Sequence, residues 1–322
     1  MSGEVHAATH VAACVVVHTH SEELERLLEF LRCLSDRPHE IVVCLNSNDD
    51  ALRLRLESHA AIDRLIVQPD NPGFAGGVNA CFVATDLPFV WALNPDVLPT
   101  SDYLTTCLRA MSKIPRCGAV GGLLMRSDGD DAIIDSAGFV MQPWFRIVDR
   151  AAGVRDVGQF EVSESVVGLC AASLLIRREA AEAVADSGGA FNPDYWMYKE
   201  DQDFCLRLRE QRYKCVFEPS ARCVHTRGWK GGTRQNVPLQ LRRHSLKNRY
   251  LLMARHFSIA RDLWRLPAIL VFELALLLRL LLSEPRTCAG YIMALRLLPR
   301  TIRKRSKRGQ VRGVDDESNG AG

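Results

Sequence analysis

The sequence predicts an α/β fold, a mixed and mainly parallel central sheet flanked by helices, with a C-terminal helical region that associates with a membrane. Three observations carry this. Short apolar runs alternate with helical patterns from the start to about residue 125, the rhythm of strand, crossover helix and parallel strand. From Gly118 to about Thr226 strand-like runs mix with one well-marked helix, and beyond Arg242 the chain turns basic and then almost uniformly apolar. With 47% hydrophobic and 25% charged residues the composition is that of a globular protein, which excludes disordered, collagenous and low-complexity classes. The 322 residues exceed the roughly 250 to 300 at which single cores stop growing, so one large domain with an appendage is expected.

Val11 to Val17 is the first strand, an apolar run fit for burial on both faces. Ser21 then offers an N-cap, Glu22 and Glu23 favour a helix start, and Leu24, Leu27, Leu28 and Leu31 share one helical face. Ile41 to Leu45, Arg64 to Val67 and Phe89 to Leu93 are the next strands, each followed by a polar loop. Ligands of open α/β sheets sit outside the carboxyl ends of the strands, so those loops are where chemistry is expected. Ser173 to Ile176 and Lys214 to Phe217 read as later strands, and Glu200 to about Gln211 as a helix. Arg243 to Phe257 is a basic amphipathic helix. Leu266 to Leu282 contains only two charged residues, Glu273 and Arg279.

Those seventeen residues fall short of the roughly 20 that span a bilayer, and each mid-segment charge costs about 3 kcal/mol there, so interfacial docking is expected over spanning. Arg300 to Arg312 adds seven Lys or Arg in thirteen residues, suited to an anionic leaflet. A formal charge of +3 gives no reason to expect a nucleic-acid partner. Eleven cysteines without a CxxC pair, behind an N-terminus that lacks a signal-peptide layout, point to a reducing compartment with thiols used as small core residues.

Four segments carry candidate chemistry. Asn71-Pro-Gly73-Phe-Ala-Gly-Gly77-Val-Asn79 combines glycines that permit close backbone approach with a helix start whose N–H groups suit an anion. Asn94-Pro-Asp96 ends a strand with a carboxylate, a hard oxygen ligand for Mg²⁺ or Mn²⁺. In Tyr195-Trp196-Met-Tyr-Lys-Glu200-Asp201-Gln-Asp203, aromatic residues precede acids at a helix start. Asp203 and Arg207 stand at ion-pair spacing, and Glu200 or Asp201 is placed to act as a general base. His225 follows the last strand.

Taken in order, these segments resemble the family 2 glycosyltransferases, in the branch that includes bacterial rhamnosyltransferases. Asn71 to Asn79 is similar to that branch's N-x-G-F-x-x-G-x-N signature, Leu93-Asn94-Pro-Asp96 to its variant of the DxD metal motif, and Gly168 to Arg177 to the strand bordering the acceptor. Glu200-Asp201-x-Asp203-x-x-x-Arg207 resembles the catalytic segment, and His225 falls at the family's late histidine. The resemblance covers about residues 11 to 250 and implies a GT-A fold. Asp96 and His225 would hold Mg²⁺ or Mn²⁺, Asp201 would be the base of a single inverting displacement, and Trp196 and Glu200 would meet the acceptor. His18, Asn46, Asn71, Gly73, Gly77, Asn79 and Asn94 would bind the nucleotide-sugar.

Two departures fall where the family recognises the nucleobase. Leu45-Asn46-Ser47-Asn48 replaces Asp-Asn-x-Ser, leaving Asp49 or Asp50 as substitutes, and Val17-His18-Thr19-His20 replaces Thr-Tyr-Asn. The donor implied first is dTDP-rhamnose, with a UDP-sugar or a catalytically silent nucleotide-sugar-binding scaffold as alternatives. The expected layout is a disordered 1–10, a GT-A domain over 11–257 divided near residue 125 into nucleotide-sugar and acceptor halves, a membrane-associated helical region over 258–299 and a basic then polar tail over 300–322. Expected partners are the donor, a lipid-linked cell-envelope glycan acceptor and an anionic membrane surface, with no nucleic acid and a homo-oligomer left open. The expected location is peripheral, on the cytoplasmic face of the plasma membrane.

Overall fold

The computed structural model describes residues 10–127, 132–226 and 237–318, with side chains through Arg305. Most of the N-terminal segment expected to be disordered lies outside the described residues. The chain divides into two compact units, one of Met1–Val140, Ile147–Trp196 and Glu200–Gly231, the other of Met141–Arg146, Met197–Lys199 and Gly232–Gly322.

In the first unit β1 (Val11–Val17), β2 (Glu40–Leu45), β3 (Arg64–Val67) and β4 (Phe89–Leu93) lie where the sequence predicts them, joined by α1 (Glu22–Cys33), α2 (Asp50–Glu57) and α3 (Gly73–Ala84). Ser21 caps α1 by accepting from the Leu24 N–H at 3.2 Å, and Leu24, Leu27, Leu28 and Leu31 are all buried. There follow β5 (Val97–Pro99), α4 (Tyr103–Lys113), β6 (Cys117–Met125), β7 (Ile134–Ser136), β8 (Phe139–Met141), β9 (Ile147–Asp149), β10 (Glu164–Val166), β11 (Ser173–Arg177), α5 (Arg178–Val184), α6 (Glu200–Glu210) and β12 (Lys214–His225). The strand read as Lys214 to Phe217 therefore runs on to His225.

The sheet order is β10-β12-β6-β11-β4-β1-β2-β3, with β5 on β12 and β7 on β6. The pairs β4-β1, β1-β2, β2-β3 and β12-β6 are parallel, whereas β11 runs antiparallel to both β4 and β6. Alternate residues of β1 feed two cores. Val11, Ala13, Val15 and Val17 pack in one cluster with the leucines of α1, and Ala12, Cys14 and Val16 pack in the other with Ala75, Val78 and Cys81 of α3. Eight of the eleven cysteines are buried, as small core residues would be. Because β11 is reversed, its amino end lies at the same sheet edge as the carboxyl ends of β1, β2, β4 and β12.

The second unit comprises α7 (Leu239–His256), α8 (Ile259–Asp262), α9 (Leu266–Ser283) and α10 (Ala289–Ser318), plus two short inserted segments. The buried Asn248 of α7 donates to the Met197 and Tyr198 carbonyls at 2.8 and 2.7 Å, and Arg249 donates to those of Trp144 and Phe145. A single helix thereby organises both inserts. Ile259–Ser283 forms a helical stretch of 25 residues, long and apolar enough to cross a membrane. The length argument made from Leu266 to Leu282 alone is corrected, since α8 and a 3-10 turn extend that helix toward its N-terminus.

Candidate active site

Several of the predicted site residues lie along the strand-end edge. His18 follows β1 and its Nδ1 donates to the Asn46 carbonyl at 2.7 Å, beyond β2. Asn71, after β3, places its amide nitrogen 3.5 Å from the same ring nitrogen. Asn94 and Asp96 follow β4, and the Asn94 N–H donates to the Ala172 carbonyl at 2.9 Å, because β4 and β11 pair with Leu93 opposite Ser173. One residue earlier, the Ala171 N–H donates to Asp201 Oδ2 at 3.3 Å. The segment ahead of β11 thus links the metal-motif loop to the candidate base through two backbone bonds.

Asp96 and His225 are 129 positions apart in sequence, and β5 brings them together by pairing Val97 with His225 itself. His225 Nε2 stands 3.5 Å from Asp96 Oδ1, and its Nδ1 donates to Asp135 Oδ2 at 2.9 Å. Burial alone would lower the imidazole pKa, but the hydrogen bonds and charges of Asp135 and Asp96 outweigh it and push it up to about 9. Asp135 is fully buried on β7 and its other oxygen meets Arg126 Nε at 3.3 Å. Nothing in the sequence singles it out, since Ile133-Ile134-Asp135-Ser136 reads as an ordinary strand end and only the β6-β7 pairing sets it behind the histidine.

The structure corrects part of the glycine-segment reading. Asn79 donates to the Gly188 and Phe191 carbonyls at 2.8 and 2.6 Å and accepts from the Phe191 N–H at 2.9 Å, so its amide braces the turn before residue 192 rather than facing a ligand. Asn46 is 2% exposed and donates to the Gly73 carbonyl at 2.8 Å. A Cβ on Gly77 would lie 2.6 Å from a Val16 methyl, so this glycine serves helix-on-sheet packing. The helix start expected to receive an anion is also engaged internally, with the Gly73 N–H donating to Asn71 Oδ1 and the Ala75 N–H to the Trp196 carbonyl. Asp49 caps α2 and Asp50 pairs with Arg53 on the surface.

What the segment does is hold Trp196. The indole Nε1 donates to the Asn71 carbonyl at 3.0 Å, and Gly73, with φ +74°, leaves room for the Trp196 carbonyl that a Cβ would meet at 2.1 Å. Trp196 itself has φ 64°, followed by Tyr198 and Lys199 at 68° and 67°, a run of left-handed non-glycine residues immediately before α6. Such conformations cluster at functional sites, where the surrounding structure holds them in place. Gly73→Ala is expected to lose about 1 to 2 kcal/mol from the positive φ alone, and more from displacing Trp196. Thermal unfolding checks this, and an unchanged midpoint would show that the loop relaxes freely.

At the start of α6 Asp201 is half-buried, each of its carboxylate oxygens accepting one backbone N–H, from Ala171 and from Gln202 at 2.8 Å. Glu200 is buried, with 6% exposure. Asp203 accepts from Arg207 Nε at 2.7 Å with both side chains fully buried, which makes this pair structural as its spacing suggested.

Residues 14–184, just over half the chain, match the family described as Glycosyl transferase family 2. An N-acetylglucosaminyl-diphospho-decaprenol L-rhamnosyltransferase of Mycobacterium tuberculosis (strain ATCC 25618 / H37Rv) is 28% identical over 273 residues, covering 78% of this chain and 85% of the relative. Rhamnosyltransferase WbbL of Escherichia coli (strain K12) is 25% identical over 221 residues, covering 66% and 81%. Among solved structures, GalNAc-T7, crystallised with UDP, GalNAc and Mn²⁺, superposes with a TM-score of 0.56 at 13% identity over 76% of this chain and 47% of that one. At that identity it shows the fold alone, and this chain spans about half that structure's length. The mixed sheet and the family match together make this chain a glycosyltransferase, and it belongs to glycosyl transferase family 2, with bacterial rhamnosyltransferases among its relatives.

Proposed function

We propose that the enzyme is an inverting, divalent-cation-dependent transferase that moves rhamnose from dTDP-rhamnose onto a lipid-linked cell-envelope glycan. The observation that carries the reading is Asp201, a half-buried carboxylate tied by one backbone segment to the loop of Asn94 and Asp96. One carboxylate base suffices for a single displacement, whereas glycosidases pair two around the scissile bond. Asp201 takes the proton of an acceptor hydroxyl as that oxygen bonds to the anomeric carbon from the face opposite the nucleotide. The bond to the departing diphosphate breaks and its electrons leave with the phosphate oxygen. Trp196 and Glu200 orient the acceptor, and His18 and Asn71 contact the nucleotide half of the donor. The names of the relatives support the sugar and the lipid carrier.

The pair of Asp96 and His225 suits a cation that displaces the Nε2 proton of His225. Two donors on one ion at about 2.1 Å, between octahedral and tetrahedral angles, stand about 3 to 3.5 Å apart, and these atoms are 3.5 Å apart. The group would supply neutralisation of the donor diphosphate's charge. Asp135 holds His225 through Nδ1 so that Nε2 faces Asp96. Asp135→Asn is expected to weaken Mn²⁺ binding by roughly 10- to 100-fold, read by titration of free Mn²⁺ without donor or acceptor. Unaltered Mn²⁺ affinity would remove this supporting role.

Membrane attachment is assigned to the second unit, peripherally and on the cytoplasmic face. Leu270, Val271, Leu274, Leu281 and Leu282 of α9 are exposed, Leu282 by 85%, and Arg300, Arg303 and Arg305 follow on α10. Glu273 is engaged by Arg249 at 2.6 Å, which ties α9 to α7. The full chain is expected to sediment with phosphatidylglycerol vesicles and less so as salt rises; failure to sediment at low salt overturns this. The donor is tested by thermal stabilisation with dTDP-, UDP- and GDP-sugars in the presence of Mn²⁺. A response to a UDP-sugar alone moves the assignment to that donor, and nucleotide-sugar binding without transfer to any lipid-linked acceptor favours a silent scaffold.

A further inference from the structure

The second unit contains a cavity of about 290 Å³ whose lining joins two chemistries. Arg146, Lys199, Arg249 and Arg279 line it, and among the described residues no carboxylate does. Its other wall is apolar, made by Phe272, Leu276 and Leu280 of α9. Phe272, Leu276, Arg279 and Leu280 follow helical spacing, so one stripe of α9 faces the cavity, while Leu270, Leu274, Leu278 and Leu281 on other stripes are exposed. The cations differ in their commitments. Arg249 is bound to Glu273 and to two backbone carbonyls, and so holds the wall together. Lys199 donates to Ser245 Oγ at 3.3 Å. Arg279 has no carboxylate partner among the described residues.

A guanidinium retained on an otherwise leucine-rich helix, beside a second guanidinium and an ammonium, suits a ligand with clustered negative charge, and the apolar wall suits a hydrocarbon attached to it. We infer that this cavity binds the diphosphate of the lipid-linked acceptor, with Arg146, Lys199 and Arg279 meeting the phosphate oxygens and the first carbons of the lipid chain lying against Phe272 and Leu276. The inference rests on the lipid-linked acceptor reading given above. Lys199 directly precedes Glu200 in sequence. At about 290 Å³ the cavity lies at the low end of small-molecule pocket sizes.

The test uses the full-length protein in detergent, with farnesyl diphosphate as probe and farnesol as its diphosphate-free counterpart. Calorimetric titration is expected to give farnesyl diphosphate at least about tenfold tighter binding than farnesol, and the Arg146→Gln/Arg279→Gln double variant should lose about tenfold or more of that affinity. Arg279→Lys, which keeps the charge, should recover part of the loss. Circular dichroism and thermal unfolding of the same samples report folding, and if the double variant fails them, Arg279→Gln alone, at an exposed side chain, carries the test. Equal affinity for farnesol, an unaltered affinity in the variant, or equally effective displacement by phosphatidylglycerol overturns the inference, the last marking a phospholipid headgroup site instead. Should the parental enzyme transfer sugar to a lipid-linked acceptor while the variants keep its KM, the cavity assignment fails and the activity stands. Should farnesyl diphosphate bind through Arg279 while no sugar is transferred, the activity fails and the cavity stands.

Discussion

Asp201→Asn is expected to lower the rate of glycosyl transfer by roughly 10² to 10⁴ while leaving nucleotide-sugar affinity near the parental value. The substitution keeps the shape of the side chain and an oxygen able to accept the Ala171 or Gln202 N–H, so the fold around α6 is preserved. What it removes is the capacity to take up a proton as the acceptor oxygen becomes nucleophilic, an interaction made only in the transition state. Transfer to a lipid-linked acceptor, measured beside donor titration, checks it. A variant that transfers at the parental rate ends the base assignment, and if Glu200→Gln abolishes turnover instead, the base lies one residue earlier.

Two positions further along the same helix the opposite phenotype is expected. Asp203→Asn should cost about 3 to 5 kcal/mol of stability, because it strands the guanidinium of Arg207 in the core without its counter-charge. Arg207 is fully buried and ties α6 to the Val184 and Ala190 carbonyls at 2.7 and 2.6 Å, while the Tyr195 hydroxyl donates to the other Asp203 oxygen at 3.4 Å. Losing the charge therefore loosens the turn that carries Tyr195 and Trp196 as well as the helix. The folded fraction should still turn over at close to the parental kcat. A normal thermal midpoint with collapsed kcat would reverse the two assignments and make Asp203 the reacting carboxylate.

The sequence by itself determined the parallel strands β1 to β4, the face of α1 and the pairing of Asp203 with Arg207. All of these rest on local periodicity or short spacing, where residue type and position on one element decide the outcome. Tertiary structure alone decided that Asp135 stands behind His225, because a partner 90 residues away is fixed by the pairing of β7 with β6 and of β12 with β5. It also reassigned Asn46, Gly77 and Asn79 from donor contacts to packing and bracing, since an amide looks the same in sequence whether it faces a ligand or a backbone carbonyl. In the second unit, the residues that line the cationic cavity come from segments near positions 146, 199, 245 and 279, and no local pattern joins them. Spacing along one element is written in the chain, whereas a neighbour across elements depends on strand order and register, which only the folded chain fixes.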